Sequence, residues 1–390
     1  MKPLWALPIS LLLTAGCRGG VEPAPEPIVG NFPALTPIGA APEDVHALLA
    51  GLTLEAYKDT LGGLTRFGDR RQGTRRNRDA LDWIEARLAA IGCSDIGRID
   101  YMFPPETDTP FVQFWNDVLA PKFIRFKHIL VDGLSHHSAA VLPKLPVKPG
   151  DRVLDVGCGF GDTAIQLAKC VAPGGEVVGV DCCDAFLTYA RNDAASHGIG
   201  NISFMRADAE IALPARDFDV VFARFGTMFF ANPVAGLRNM RRALKPGGRM
   251  VHIVWRQRQD NPWLSMAKDI VLQFLPEPGA DALTCGPGPF SMSNQETVTK
   301  MMQAAGYADI EFERVDAPVS IGNDVSDAIA FQLALGPAGE VFREAGEKAE
   351  EKRPRIEAAL AEAIRKQRLD ANGITMASSS WVISATNPAI

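Results

Sequence analysis

The sequence of 390 residues is long enough for two domains or for one large domain with additions. Charged residues make up 22% and hydrophobic residues 47%, a balance that excludes a disordered chain and a membrane bundle. The net charge of −6 argues against a dedicated nucleic-acid binder, which needs a basic surface to neutralise phosphates.

In chain order, the first feature is an export-like signal. Lys2 precedes an apolar stretch from Leu4 to Leu13, and small residues lead into Cys17. "LTAGC" resembles a bacterial lipoprotein cleavage site, with Thr14 where leucine is usual and Cys17 as the lipidated residue. Residues 18–43 are rich in proline and lack periodicity, which predicts a stiff tether. In residues 44–103, Ala80, Leu81, Ile84, Leu88 and Ile91 recur at helical spacing, and Gly92 can end that helix.

The stretch "LTRFGDRRQGTRRNRDALDWIEARLAAIG" is similar to the N-terminal helical part of bacterial zinc-dependent aminopeptidases. It carries no catalytic residue, and nothing beyond Pro104 restores that family's metal site. His136 and His137 are adjacent and cannot share one helical face. The seven cysteines form no CxxC pair and no zinc-like spacing with histidine. They predict free, mostly buried thiols, a reducing compartment and no metal.

From Phe111 onward the pattern alternates. "RVLDVG", "EVVGVD", "ISFMRAD", "FDVVFAR" and "RMVHIVW" are short apolar runs separated by helical stretches, which predicts a parallel sheet with helices on both faces. "ADIEFERVDA" (308–317) and "ITMASSSWVISAT" (374–386) supply two further strands. A helical insertion over about 323–369 lies before the last strand, as a lid or a dimer surface. Ile356, Leu360 and Ile364 mark its apolar stripe, and Pro354 stands where a helix can begin.

The chemistry centres on "VLDVGCGFGDT", Val153 to Thr163. Gly157, Gly159 and Gly161 follow a strand and precede a helix, and glycine lets the backbone come close to a ligand. A dinucleotide site usually spaces its glycines G-x-G-x-x-G, so this spacing disfavours an NAD-dependent oxidoreductase. Asp181 ends the second strand, where a carboxylate can accept both hydroxyls of a ribose; Asp184 is suited to cap the following helix. Asp208 and Ala209 follow the third strand, where a carboxylate and an amide can hold an adenine edge.

Together "VLDVGCGFGDT", "VVGVD", "RADAE", "FDVVFARFGTMFFANP" and "LKPGGRMVHIVWR" resemble class I S-adenosylmethionine-dependent methyltransferases, in particular those of the ubiquinone/menaquinone-biosynthesis type. The resemblance spans residues 111–390. It implies a Rossmann-like seven-stranded sheet with the last strand antiparallel, S-adenosylmethionine as cofactor, and a small-molecule methyl acceptor. It further implies that Asp155 faces the methionine ammonium, Gly157 and Gly159 make room for it, Asp181 holds the ribose, and Asp208 bonds the adenine with Ala209 beside it. Arg224 and Phe225 would line the methyl-transfer end, and Cys182 would pack on the adenine with Cys183 turned toward a helix.

No catalytic base stands out. His252 lies mid-strand as a core histidine; His136 and His137 are better placed, in a helical region able to cover the site. Asp260, Asn261 and Trp263 follow the fifth strand and are candidates for the acceptor pocket. A non-catalytic S-adenosylmethionine-binding module is the competing reading. Because the cofactor is made in the cytosol, the expected location is cytoplasmic, with membrane attachment only if the signal at Cys17 is used. The chain reads as a fusion joined near residues 103–111.

Overall fold

The computed structural model describes residues 53–67, 75–90, 108–213, 216–279, 282, 286–370 and 373–389. Cys17, the proline-rich stretch 18–43, Ile91, Gly92 and the junction 103–107 lie outside these residues. Two compact units divide the chain, Met1–Pro104 and Pro105–Ile390.

In the first unit, α1 (Leu54–Thr65) starts at Thr53, whose hydroxyl accepts the Ala56 amide at 3.1 Å. Helix α2 (Arg75–Ala90) carries Ala80, Leu81, Ile84 and Leu88 from the predicted stripe. Trp83 of α2 organises this unit, with Phe67 6.3 Å from its ring and the Arg87 guanidinium 5.7 Å from it.

The second unit opens with helices. α3 (Pro110–Phe114) runs through a single π turn at Trp115–Leu119 into α4 (Ala120–Arg125), and α5 (Lys127–Val141) follows. Then come β1 (Arg152–Val156), α6 (Asp162–Val171), β2 (Glu176–Asp181), α7 (Asp184–Ser196) and β3 (Ile202–Arg206). The next elements are β4 (Phe218–Arg224), α8 (Pro233–Ala243), β5 (Leu244–Trp255), α9 (Pro262–Val271) and α10 (Gln295–Ala305). The chain closes with β6 (Ala308–Gly322), α11 (Val325–Ala334), α12 (Gly336–Ala345), α13 (Glu347–Ile364), β7 (Arg368–Asp370) and β8 (Gly373–Thr386).

The strand order is β3-β2-β1-β4-β5-β8-β6, with β8 antiparallel to both β5 and β6. This is the Rossmann-like seven-stranded methyltransferase arrangement; short β7 adds an eighth strand by pairing with β8 alone. The four β1 residues from Val153 to Val156 are all buried, as expected for a strand covered on both faces. Edge strand β6 is different. Its outer half alternates exposed and half-buried residues and carries Glu311, Glu313 and Arg314, charges that discourage pairing with another chain.

Two local expectations need correction. Pro354 lies inside α13, seven residues after its start, where it cannot donate a backbone hydrogen bond. Arg353 pairs with Glu350 at 2.6 Å and with Glu357 at 3.2 Å, spanning the turn that the proline weakens. Asp184 is the first residue of α7 rather than its cap; Cys183 precedes the helix and makes no side-chain cap bond.

Candidate active site

Strand order reverses direction at β1, with β2 on one side and β4 on the other, and a crevice opens there at the carboxyl ends of the strands. It leaves about 270 Å³ for the centres of water-sized molecules. Val156, Asp181, Arg224 and Trp255, at the ends of β1, β2, β4 and β5, all line it.

The cofactor-like end is built around the glycine turn. Gly157, Gly159 and Gly161 have φ of 69°, 53° and 79°, a region that side chains resist. A Cβ on Gly159 would face open space, so this backbone is free for a ligand to approach. A Cβ on Gly161 would stand 2.7 Å from Ala190 Cβ and 3.0 Å from Phe204, so this glycine lets α6 pack against α7 and β3. Gly161 is accordingly absent from the cavity wall, whereas Gly157 and Gly159 are part of it.

Asp181 ties the turn to β2. Its two carboxylate oxygens accept the Gly159 amide at 2.9 Å and the Cys183 amide at 3.0 Å. Burial pushes its pKa up, while those backbone hydrogen bonds oppose the shift. A carboxylate has about four acceptor positions, so these amides leave room for a diol hydroxyl. Asp208 accepts the Glu210 amide at 2.9 Å, and Asp208, Ala209 and Cys182 line the same end of the cavity. Cys183 is buried with Phe160 and Phe186, and Cys158 is buried too, while Cys182 is half-buried and Cys170 is exposed.

Asp155 sits beneath the turn rather than on the cavity wall. It is fully buried; Thr163 donates to its Oδ2 at 2.8 Å, and Oδ1 has no partner. Burial pushes its pKa up to about 7, against the Thr163 hydrogen bond and the Arg224 charge. The group presented to the cavity here is instead Asp162, held by Arg224 at 2.8 Å. Arg224 also donates to Ser138 of α5 at 2.7 Å, joining the glycine turn to the N-terminal helices.

The other end of the cavity is aromatic. Phe225 leaves β4 with a φ of 55°, costly for a bulky residue, and is held by its amide bond to the Ile253 carbonyl at 2.8 Å. Its ring stacks on Trp255 at 3.8 Å. Trp115, in the π turn, meets Phe229 at 5.3 Å and Phe123 at 5.4 Å. π turns recur at functional sites. Helices α11 and α12 of the insertion contribute Phe331 and Arg343 to the same wall, with Leu335 between them.

No histidine among the described residues lines the cavity. His137 is fully buried, with Nε2 2.7 Å from Ser378 Oγ and Nδ1 2.9 Å from Ser380 Oγ. Ser378 Oγ donates to the Ala317 carbonyl, so His137 Nε2 must donate to it and the ring is a satisfied neutral imidazole. Burial brings its pKa down to about 4. His252 is 2.9 Å from Thr227 Oγ1 through Nδ1, and burial brings it down to about 3. His136 has a buried, unpartnered Nδ1 and does not line the cavity. Thus neither His136 nor His137 lines the cavity, and α5 turns His137 toward β8 and the core.

Of the residues after β5, Trp263 lines the cavity. Asn261 is a structural pin: it accepts the Ser379 amide and donates to the Ser379 carbonyl, both at 3.0 Å. Asp260 pairs with Arg256 at 3.3 Å outside the cavity. Sequence reasoning missed Asp162, Trp115, Glu210 and the charged residues Lys122, Glu340 and Arg343. Asp162 and Glu210 had a local signal, Asp162 as the acidic first residue of α6 within the quoted glycine motif and Glu210 as the last residue of "RADAE".

Comparison with known proteins places the chain among methyltransferases. A family described as "Methyltransferase domain" matches residues 147–306. The Ubiquinone/menaquinone biosynthesis C-methyltransferase UbiE of Ectopseudomonas mendocina is 35% identical over 179 residues, covering 43% of this chain and 70% of that protein. The UbiE of Idiomarina loihiensis is 33% identical over 190 residues, covering 44% and 72%. Among solved structures, the YcgJ protein of Bacillus subtilis aligns with a TM-score of 0.44 at 18% identity, covering 65% of this chain and 99% of that one.

Proposed function

The chain belongs to the class I S-adenosylmethionine-dependent methyltransferases, and we propose that it methylates a flat, largely apolar small molecule held between the strand ends and the two helical caps. The observation that carries this reading is one continuous cavity with a polar, glycine-built end and an aromatic end. The residues present suit the cofactor. Asp181 has room left for a ribose hydroxyl, Gly159 leaves its Cβ direction open, and Asp208 with Ala209 stands beside them.

The chemistry supplied by bound S-adenosylmethionine is a methyl group on a sulfonium, open to in-line displacement. The chain's own contribution is position and dryness. Asp181 and the glycine turn fix one reactant, while Trp115, Phe225 and Trp255 shape the place for the other and keep water out. No histidine lines the cavity among the described residues. Of its carboxylates, Asp162, Asp181, Asp208 and Glu210 already hold Arg224 or backbone amides, and Glu340 acts on Lys122. An acceptor that arrives already acidic fits such a site better than an alcohol that needs a general base.

The caps argue against carrying over an acceptor by name. Helices α3, α4, α11 and α12 lie outside residues 147–306, the stretch shared with the family. A cytoplasmic location is supported by the free thiols Cys158, Cys170, Cys182 and Cys183. No helix among the described residues is long and apolar enough to cross a membrane.

Calorimetric titration with S-adenosylhomocysteine, beside NAD and an Asp181→Ala variant, tests the reading. The expected result is binding of the homocysteine compound alone, weakened about a hundredfold in the variant, since charged hydrogen bonds are each worth about 1.5–3 kcal/mol. A folded wild-type protein that ignores S-adenosylhomocysteine would overturn it.

A further inference from the structure

The aromatic end contains a cation that the methyl-transfer reading does not use. Lys122, in α4, lines the cavity and is half-buried. Among the described residues its Nζ makes no salt bridge and no hydrogen bond, unlike Lys127 five residues on, which binds Asp193 at 2.6 Å. Its neighbour across the cavity is Arg343 of α12, whose guanidinium lies 5.0 Å over the Phe114 ring and pairs with Glu344 at 2.6 Å. Burial and the Arg343 charge lower the Lys122 pKa, and Glu340 opposes them without restoring it. The ammonium thus stands without a salt bridge or hydrogen bond beside the cavity aromatics, with Glu340 as the carboxylate that acts on it from α12.

Such a placement costs desolvation and side-chain freedom, and an anionic oxygen on the ligand offsets both. The chamber walls take a flat apolar body, with Trp115, Phe123 and Phe331 on elements that flank Lys122. The two cationic residues come from separate caps, Lys122 from the N-terminal helices and Arg343 from the insertion. An anion between them draws both caps together over the cavity.

Resting on the methyltransferase reading of this cavity, we propose that Lys122 anchors the carboxylate of an aromatic acid acceptor, with its ring system among the cavity aromatics. The anchored group is a specificity handle; the proposal does not require it to be the methylated atom.

The test uses the full-length chain saturated with S-adenosylhomocysteine, titrated calorimetrically with 2-naphthoate and with its uncharged counterpart 2-naphthamide. Wild type should prefer the acid at least tenfold. Lys122→Gln should reduce that preference below twofold with unchanged amide affinity, and Lys122→Arg should keep most of it. S-Adenosylhomocysteine affinity should stay the same in all three proteins, which shows that the variants are folded. Equal affinity for the two probes, failure of the acid to bind, or a preference that survives Lys122→Gln would each overturn the anion site. Failure of S-adenosylhomocysteine itself to bind would instead sink the methyltransferase reading.

Discussion

The two ends of the cavity are built in different ways. The glycine-turn end comes from consecutive strand ends of one sheet, and its parts are held by backbone: Asp181 grips the Gly159 and Cys183 amides. The aromatic end is assembled by side chains, with Phe225 and Trp255 at the ends of β4 and β5, Trp115 in the π turn and the rest from α3, α4, α11 and α12; Lys122 and Arg343 are more than 200 residues apart in sequence. A site made of backbone tolerates little change in shape, whereas one made of side chains on caps can be re-cut for a new acceptor while the sheet stays constant. The family match covers the first end and, at the second, reaches Phe225, Phe229 and Trp255 but none of the four cap helices.

Arg224 is where this division is weakest, because it binds Asp162 at the glycine turn and Ser138 in the helices at once. Both partners of its ion pair are largely shielded, with side chains 10% and 17% exposed. Arg224→Met should destabilise the protein by about 3 kcal/mol, the low end for breaking a buried pair, since it leaves Asp162 unpaired. Chemical denaturation measures the loss, and adding Asp162→Asn should recover part of it. A loss below about 1 kcal/mol would mean that the two ends are joined elsewhere.

Proton linkage separates the ends by sign. Burial raises Asp155, under the glycine turn, to about 7, so its contribution to stability is complete below the unfolded value near 4 and is lost as pH rises to 7. Burial lowers His137 and His252, behind the aromatic end, to about 4 and 3. Their contribution is present above 6.5 and is lost as pH falls toward those values. Between pH 4 and 6.5 the slopes oppose each other, each group carrying about 1.4 kcal/mol per pH unit. Asp155→Asn should remove the descending component and make stability rise more steeply with pH over that window, by an amount on the order of 3 kcal/mol. Denaturation midpoints at half-unit pH steps reveal it; an unchanged profile would place the Asp155 proton elsewhere.

The same division explains what the sequence made legible. The glycine turn, Asp181, Asp208 and the strand order are local patterns, in which the residue type and its neighbours dictate backbone shape. Direction is less legible. Asp155 and Gly161 belong to the motif but face the packed interior, because strand alternation and the helix approach decide where they point. Pro354 looked like a helix start because nothing local reveals that α13 begins at Glu347 and continues through it. The pairing of Lys122 with Arg343 has no local signature at all, since each is an ordinary cation on an ordinary helix until the fold brings them to one cavity.

Asn116 offers the finest test of how independent the two ends are. From the π turn it donates to the Val112 carbonyl of its own helix at 2.9 Å and to the Cys182 carbonyl, beside Asp181, at 3.1 Å. Asn116→Ala removes a single neutral bond between the cap and the cofactor-like end, worth about 1 kcal/mol. If cap docking and cofactor binding are coupled, S-adenosylhomocysteine affinity should fall about fivefold, which is that energy expressed as an equilibrium constant. If the ends are energetically separate, the affinity should stay within experimental error while thermal stability drops slightly. The second result would favour acceptor specificity that can change in the caps without disturbing the cofactor. The first would mean that every change in the caps is felt at Asp181, and that the acceptor chamber cannot be re-cut without cost at the glycine turn.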